Sequence, residues 1–258
     1  MWPRMPMDWG LARDYAARVG PTEEMRVTEA EWLVCDDIEA MIGCLIPLQF
    51  PDAEPCNWRN GERKKRLFVA ACLRRIWTSP PAEYRSLVEA MELCADGQLS
   101  NGAMQEYWDT ADGVPSEDNV FVFAAGYDDI GLLCSQAARM ADHDRRVAAT
   151  VVEGPANGHR EQLAQAALMR DIFGNPFHPA PVVDAAWNIL QTRVRDQANA
   201  AYEVRRLPEG DLDPVRLTLL ADALEDAGCT DAELLGHLRS PGPHVRGCWA
   251  VDLVLGRK

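Results

Sequence analysis

Cys229, His237, His244 and Cys248 form the densest group of metal-ligating side chains in the chain. Thiolate and imidazole are the donors that zinc prefers. Spacing then restricts the set. Thr230 and Glu233 have the pattern of a capping box that opens a short helix to about Leu238. Along that helix Cys229 and His237 stand roughly 12 Å apart at ~1.5 Å rise per residue, too far to share one tetrahedral ion. A last helix is expected from Pro243 or His244 to Leu255, carrying Val245, Trp249, Val251, Val254 and Leu255. On it, His244 and Cys248 are four apart and face the same ion, with His237 folding back across the turn Pro241-Gly242-Pro243. The expected ligands are therefore three at most, His237, His244 and Cys248, and the ion is zinc. The competing reading makes Cys248 a buried apolar thiol beside Trp249 and His244 a helix-end cap.

A second cluster, Arg63-Lys64-Lys65-Arg66 with Arg74-Arg75, places six cations in a short stretch of an acidic chain. A phosphate or RNA contact is one use for it. The other is a solvated helix face whose cations pair with the protein's own carboxylates. Phe68 and Trp77 suit the core, so aromatic interleaving is slight. Asp142-His143-Asp144 sets a histidine between carboxylates, but helix neighbours point to different faces and no nucleophile is adjacent. The stretch Arg170 to Pro179 combines a helix stop at Gly174 with Phe173 and Phe177; a loop with Asn-Pro and flanking aromatics is one form of recognition edge, and the other reading has the two aromatics pin the turn onto the core. A phosphate loop, a dinucleotide fingerprint, a nucleophile elbow and a His-Glu-x-x-His helix are all missing from the sequence.

The elements that must position these residues are helical. Thr28-Glu29-Ala30-Glu31 reads as a capping box, and Trp32, Leu33, Ile38, Met41, Ile42 and Leu45 follow as an apolar face up to Pro47. Leu67, Phe68, Ala71, Cys72 and Ile76 recur at three- and four-residue intervals over 62–77. A helix then starts at Pro80-Pro81 and ends at Gly97. Stretches 98–111 and 117–142 are helix-compatible, with a short strand at 120–123 as the exception. The Gly-, Pro- and Asn-bearing run 151–159 reads as a linker. Helices are expected over 160–173 and 182–204, and from Asp213-Pro214 to Ala227, closed by Gly228. No fixed-period repeat is present.

Composition bounds the rest. Apolar residues make up 47% and charged residues 26% of 258 residues, which suits a globular chain with a real core. The net charge of −14 repels phosphate backbones and anionic membrane surfaces, so a nucleic-acid partner is disfavoured. Membrane-spanning stretches and an apolar signal core are not found, which places the expected location in the cytoplasm. Eight scattered cysteines read as reduced, mostly buried thiols. Residues 1–26 lack a helical period and read as an extension, with Val27 as the expected initiation site of an over-extended gene start.

The segments Thr28 to Leu33, Leu67-Phe68 to Trp77, Leu168 to Phe177, Leu220 to Cys229 and Gly242 to Trp249 resemble a large paralogous family of uncharacterised planctomycete proteins, over about 28–258. The resemblance implies no activity. The chain departs from that family's usual pattern at Leu73 and Leu238, where the family has cysteine, and at His178, where it has arginine. The expected fold is all-α, an irregular multi-helix bundle or array with at most a short strand near 120–123. An N-terminal helical part at 28–150 and a C-terminal part at 160–258 are expected to pack as one unit. The leading functional expectation is a non-catalytic protein-interaction or regulatory domain with another protein as partner and no cofactor. The alternatives are a zinc protein using His237, His244 and Cys248, and an enzyme without a recognisable motif.

Overall fold

The computed structural model describes residues 27–45, 62–75, 82–112, 156–178 and 191–257. The described chain is mostly helical, with a single two-stranded sheet among the described residues. The strand expected at 120–123 and the Asp142-His143-Asp144 run lie outside them, as do residues 1–26.

The N-terminal helices are α1 (Glu29–Val34), α2 (Ile38–Leu45), α3 (Glu62–Arg74), α4 (Ala82–Ala95), α5 (Asn101–Asp112) and α6 (Ala156–Phe173). Thr28 caps α1 as its residue type foretells. Its hydroxyl accepts from the Glu31 amide at 3.3 Å, and the Glu31 carboxylate accepts from the Thr28 amide at 2.7 Å. Helix α3 is the central rod, packed on α4 and α6. Leu67 to Leu73 are all buried, so the helix has little solvent face. Trp32, Met41, Phe68, Tyr84, Leu168 and Ile172 belong to one apolar cluster.

The C-terminal elements are α7 (Gln191–Glu203), β1 (Arg205–Arg206), β2 (Asp211–Leu212), α8 (Pro214–Asp226), α9 (Ala232–Leu238) and α10 (Trp249–Leu255). Strands β1 and β2 pair antiparallel, Arg205 opposite Leu212 and Arg206 opposite Asp211. This hairpin fills the gap that sequence periodicity leaves between two helices. Asp213 caps α8 through the Val215 amide, with Pro214 in the first turn. A second apolar cluster gathers Tyr202, Leu212, Leu217, Leu220, Leu234 and Val251.

Four expectations need correction. The helix expected from Pro243 or His244 begins only at Trp249. Residues 241–248 are irregular, and Gly247 has φ +89°, incompatible with a continuous right-handed helix. The α9 cap is Asp231, whose carboxylate accepts from the Leu234 amide, in place of Thr230. A carboxylate at this position carries a full charge to the exposed amides of the first turn. Helix α6 begins at Ala156, inside the stretch read as a linker; a first turn lacks internal hydrogen-bond partners and so tolerates Asn and Gly.

The fourth correction concerns the basic helix. Arg63 and Arg74 do pair with carboxylates, but inside the molecule rather than on a solvated face. Lys65 and Arg74 are buried, and the Arg63 guanidinium forks onto Asp252 while also reaching Asp96 and the Tyr202 hydroxyl. Arg74 holds Glu92 in a buried pair at 2.5 Å, and Arg205 reaches the same carboxylate at 2.8 Å. Such forks satisfy several donors of a planar guanidinium at once, which is why arginine tolerates burial where carboxylates meet it.

Candidate metal centre

Asp171 lies in the last turn of α6, between Met169 and Ile172, which project into the first apolar cluster. A carboxylate at such a register is costly to bury without partners. It has them. Oδ2 accepts from the Val245 amide at 2.9 Å, and Oδ1 lies 2.8 Å from His244 Nδ1 and 3.0 Å from His237 Nε2. Nε2 of His237 is also 3.3 Å from Cys248 Sγ. One ligand atom from each of Asp171, His237, His244 and Cys248 thus falls within 4.8 Å of every other.

The three residues named from sequence are therefore brought together, although not by the helix that spacing suggested. His237 projects from α9, while His244 and Cys248 come from the irregular segment before α10. Gly247 makes that segment possible: a Cβ there would approach Leu67 Cδ1 to 2.9 Å. Cys229 is buried in the second apolar cluster and is absent from the group, as its distance along α9 implies. Asp171 was missed. Its signal is a carboxylate at an apolar register, three residues after Leu168 and one before Ile172, in a stretch read only as a helix stop.

Proton bookkeeping around the two imidazoles constrains what the group can do. His244 Nε2 is 3.2 Å from the Ser240 carbonyl oxygen, which can only accept, and equally 3.2 Å from the Ser240 hydroxyl, which can donate or accept. With Nε2 accepting from the hydroxyl, Nδ1–H donates to Asp171; with Nε2 donating to the carbonyl, the Nδ1 lone pair faces the carboxylate and is matched by a proton or a metal cation between them. At His237, one nitrogen faces both a carboxylate oxygen and a sulfur. A cation at the centre serves all four atoms. An outer imidazole N–H held by a backbone carbonyl is also the usual support of a metal-bound histidine.

Electrostatics at the site follow from burial. Burial opposes ionisation of Asp171, but hydrogen bonds and charge from His237 and His244 outweigh it and hold its carboxyl below the usual range. Burial likewise disfavours the His244 imidazolium, yet Asp171 more than compensates and raises its basicity. The Cys248 thiol is pushed well up, by burial first and by the Asp171 charge second. A thiol so placed is a poor nucleophile until something positive stabilises its thiolate. A Cys-His-Asp catalytic triad would moreover use the two nitrogens of one imidazole, one toward sulfur and one toward carboxylate. In His237 the same Nε2 faces both.

His237 is the outermost of the four side chains, 20% exposed. The Trp249 ring lies 5.0 Å from its imidazole, and the His244 ring meets it edge-on at 4.8 Å. Around α6 the loop reading holds in part. Phe173 packs near Phe68 with ring centroids 6.3 Å apart, whereas Phe177 is 42% exposed and pins nothing. Gly174 has φ +71° and lies against Trp249, as a left-handed stop requires.

Among the described residues Cys35, Cys44, Cys72, Cys94, Cys229 and Cys248 are free thiols, and no helix is long and apolar enough to cross a membrane. No protein-family model matches the chain, and no match emerged among curated proteins or solved structures.

Proposed function

We propose that Asp171, His237, His244 and Cys248 bind one zinc ion as a closed, four-ligand structural site in a non-catalytic helical protein. The convergence of four ligand atoms within 4.8 Å carries the reading. Tetrahedral zinc with ligands about 2.0–2.3 Å away has ligand-to-ligand edges of roughly 3.2–3.8 Å. The contacts of 2.8, 3.0 and 3.3 Å lie at or just below those edges and the widest separation, up to 4.8 Å, above them, so the group reaches that shape by short expansions and one contraction of about 1 Å. A thiolate with two imidazoles and one carboxylate favours zinc over magnesium or calcium, which take all-oxygen sets. With four protein ligands no position is left for substrate, so the ion's work is to hold chain segments together.

Elemental analysis of protein purified without a metal-affinity tag tests this. One zinc per chain, lost in Cys248→Ser while helicity persists, is the expected result. Metal-free protein that gains no stability from added zinc would sink the reading.

A second reading, not exclusive of the first, is a role in binding another protein. Val215 and Leu219 support it: they lie four apart on one face of α8 and are 64% and 50% exposed. Replacing both by serine should leave zinc content unchanged and abolish partner capture; unchanged capture would remove the helix α8 face from consideration.

A further inference from the structure

We infer that zinc occupancy, on the metal reading above, controls the docking of the β1–β2 hairpin and α10 onto the N-terminal helices, so that the ion works as a releasable clamp. The ligands divide between the two apolar clusters. Asp171 belongs to α6, whose Leu168 and Ile172 are in the first. His237 belongs to α9, and Cys248 packs with Leu234 and Leu238 of the same helix in the second.

Between the clusters polar contacts accompany a small apolar one, in which Val245 enters the first cluster and Gly247 lies against Leu67. Arg63 bonds Asp252 and Tyr202, Arg205 bonds Glu92, and Arg74 donates to the Pro208 carbonyl at 2.9 Å. Polar groups of this kind recover hydrogen bonds from water when they separate, and apart from Val245 the named apolar residues stay covered inside their own clusters. The seam can therefore open at lower cost than either cluster.

One backbone bond connects the ion to that seam. The Leu212 amide donates to the His244 carbonyl at 2.7 Å, so the segment that presents two ligands also holds strand β2. Strand β2 pairs with β1, whose Arg205 reaches Glu92, and the turn between them offers Pro208 to Arg74. Release of His244 from the ion frees the residue on which the hairpin hangs, and the hairpin carries the contacts to α3 and α4. Each link in this route is a contact between named groups, which gives the coupling a physical path.

Hydrogen exchange of the full chain, zinc-loaded and after chelation, with elemental analysis of both samples, decides the matter. Chelation is expected to speed exchange of the Leu212 amide and of the α10 amides about tenfold or more, while buried amides of α3 and α8 keep their protection. Asp171→Asn should reproduce the chelated pattern. Stoichiometric zinc with no change at Leu212 on chelation would overturn the clamp and leave the metal site intact. Loss of protection throughout the chain would also overturn it, because the ion would then be needed for folding as a whole. Absence of zinc from the untreated protein would instead remove the metal reading on which the clamp rests.

Discussion

His237 Nε2 lies 3.3 Å from Cys248 Sγ across eleven residues of chain, with the Asp171 carboxylate 3.0 Å from the same nitrogen. If a metal holds them, the sulfur is bonded to it, and cobalt substitution makes that bond visible. Cobalt-loaded protein should show the near-ultraviolet thiolate-to-cobalt absorption and the visible bands of a four-coordinate ion. Cys248→Ser should lose the first while Cys229→Ser keeps both. A cobalt spectrum with no sulfur band would exclude Cys248 from the ligand set.

The buried Arg74–Glu92 pair makes stability depend on acid. Burial pushes the Glu92 carboxyl up, but Arg74 and Arg205 outweigh it and leave its pKa below the ordinary value of 4.5. A carboxyl whose folded pKa is depressed contributes stability that is fully present above its unfolded pKa. That contribution disappears as pH falls through the lower folded value. Glu92→Gln removes the countercharge of buried Arg74 and part-buried Arg205 and is expected to cost about 3–5 kcal/mol near neutrality. Urea melts across a pH series should show the gap between parent and variant narrowing only on the acid side. A constant gap would mean that Glu92 is not the titrating group.

Gly247 sets the course of the chain into Cys248. At φ +89°, with a Cβ position 2.9 Å from Leu67 Cδ1, alanine meets both backbone strain and a collision. The strain alone is worth about 1–2 kcal/mol. Gly247→Ala should lower thermal stability and weaken zinc binding together, because the displaced residue is next to a ligand. Gly228→Ala is the control: its φ of +89° imposes similar strain, but nothing lies within 4 Å of its Cβ position. It should lose stability without losing zinc affinity, as measured by competition with a chromophoric chelator.

The parts of this fold readable from sequence are those governed by local rules. Thr28 and Asp213 cap helices because their side chains reach amides two or three residues on, and Gly174 stops one because it alone enters the left-handed region without a Cβ penalty. The three candidate ligands His237, His244 and Cys248 were legible by type and by their closeness along the chain. Their geometry was not, since the path of residues 241–248 depends on Gly247 resting against Leu67 and on Asp171 accepting from Val245. Asp171 stayed hidden for the same reason. Its partners lie more than sixty residues away, and short-range periodicity carries no information at that distance. The basic helix was misplaced because charge suggests solvent, whereas Glu92 and Asp96 at the end of α4 and Asp252 in α10 supply a buried counter-surface.

That misplacement yields a sharp test of what Arg63 does. Its fork spans Asp252 at 2.6 and 3.1 Å, reaches Asp96 at 3.0 Å and the Tyr202 hydroxyl at 2.7 Å, and joins α3 to α4, α7 and α10. Lysine cannot reproduce a bidentate planar contact, so Arg63→Lys should already be destabilised. Arg63→Ala, which leaves Asp252 buried without its partner, should lose about 3–5 kcal/mol. If these cations instead formed a nucleic-acid surface, both variants would keep their stability and weaken RNA binding in a salt-dependent way. Urea unfolding beside an RNA gel-shift titration separates the two. The inward ion-pair network requires a large stability loss with no RNA affinity to lose.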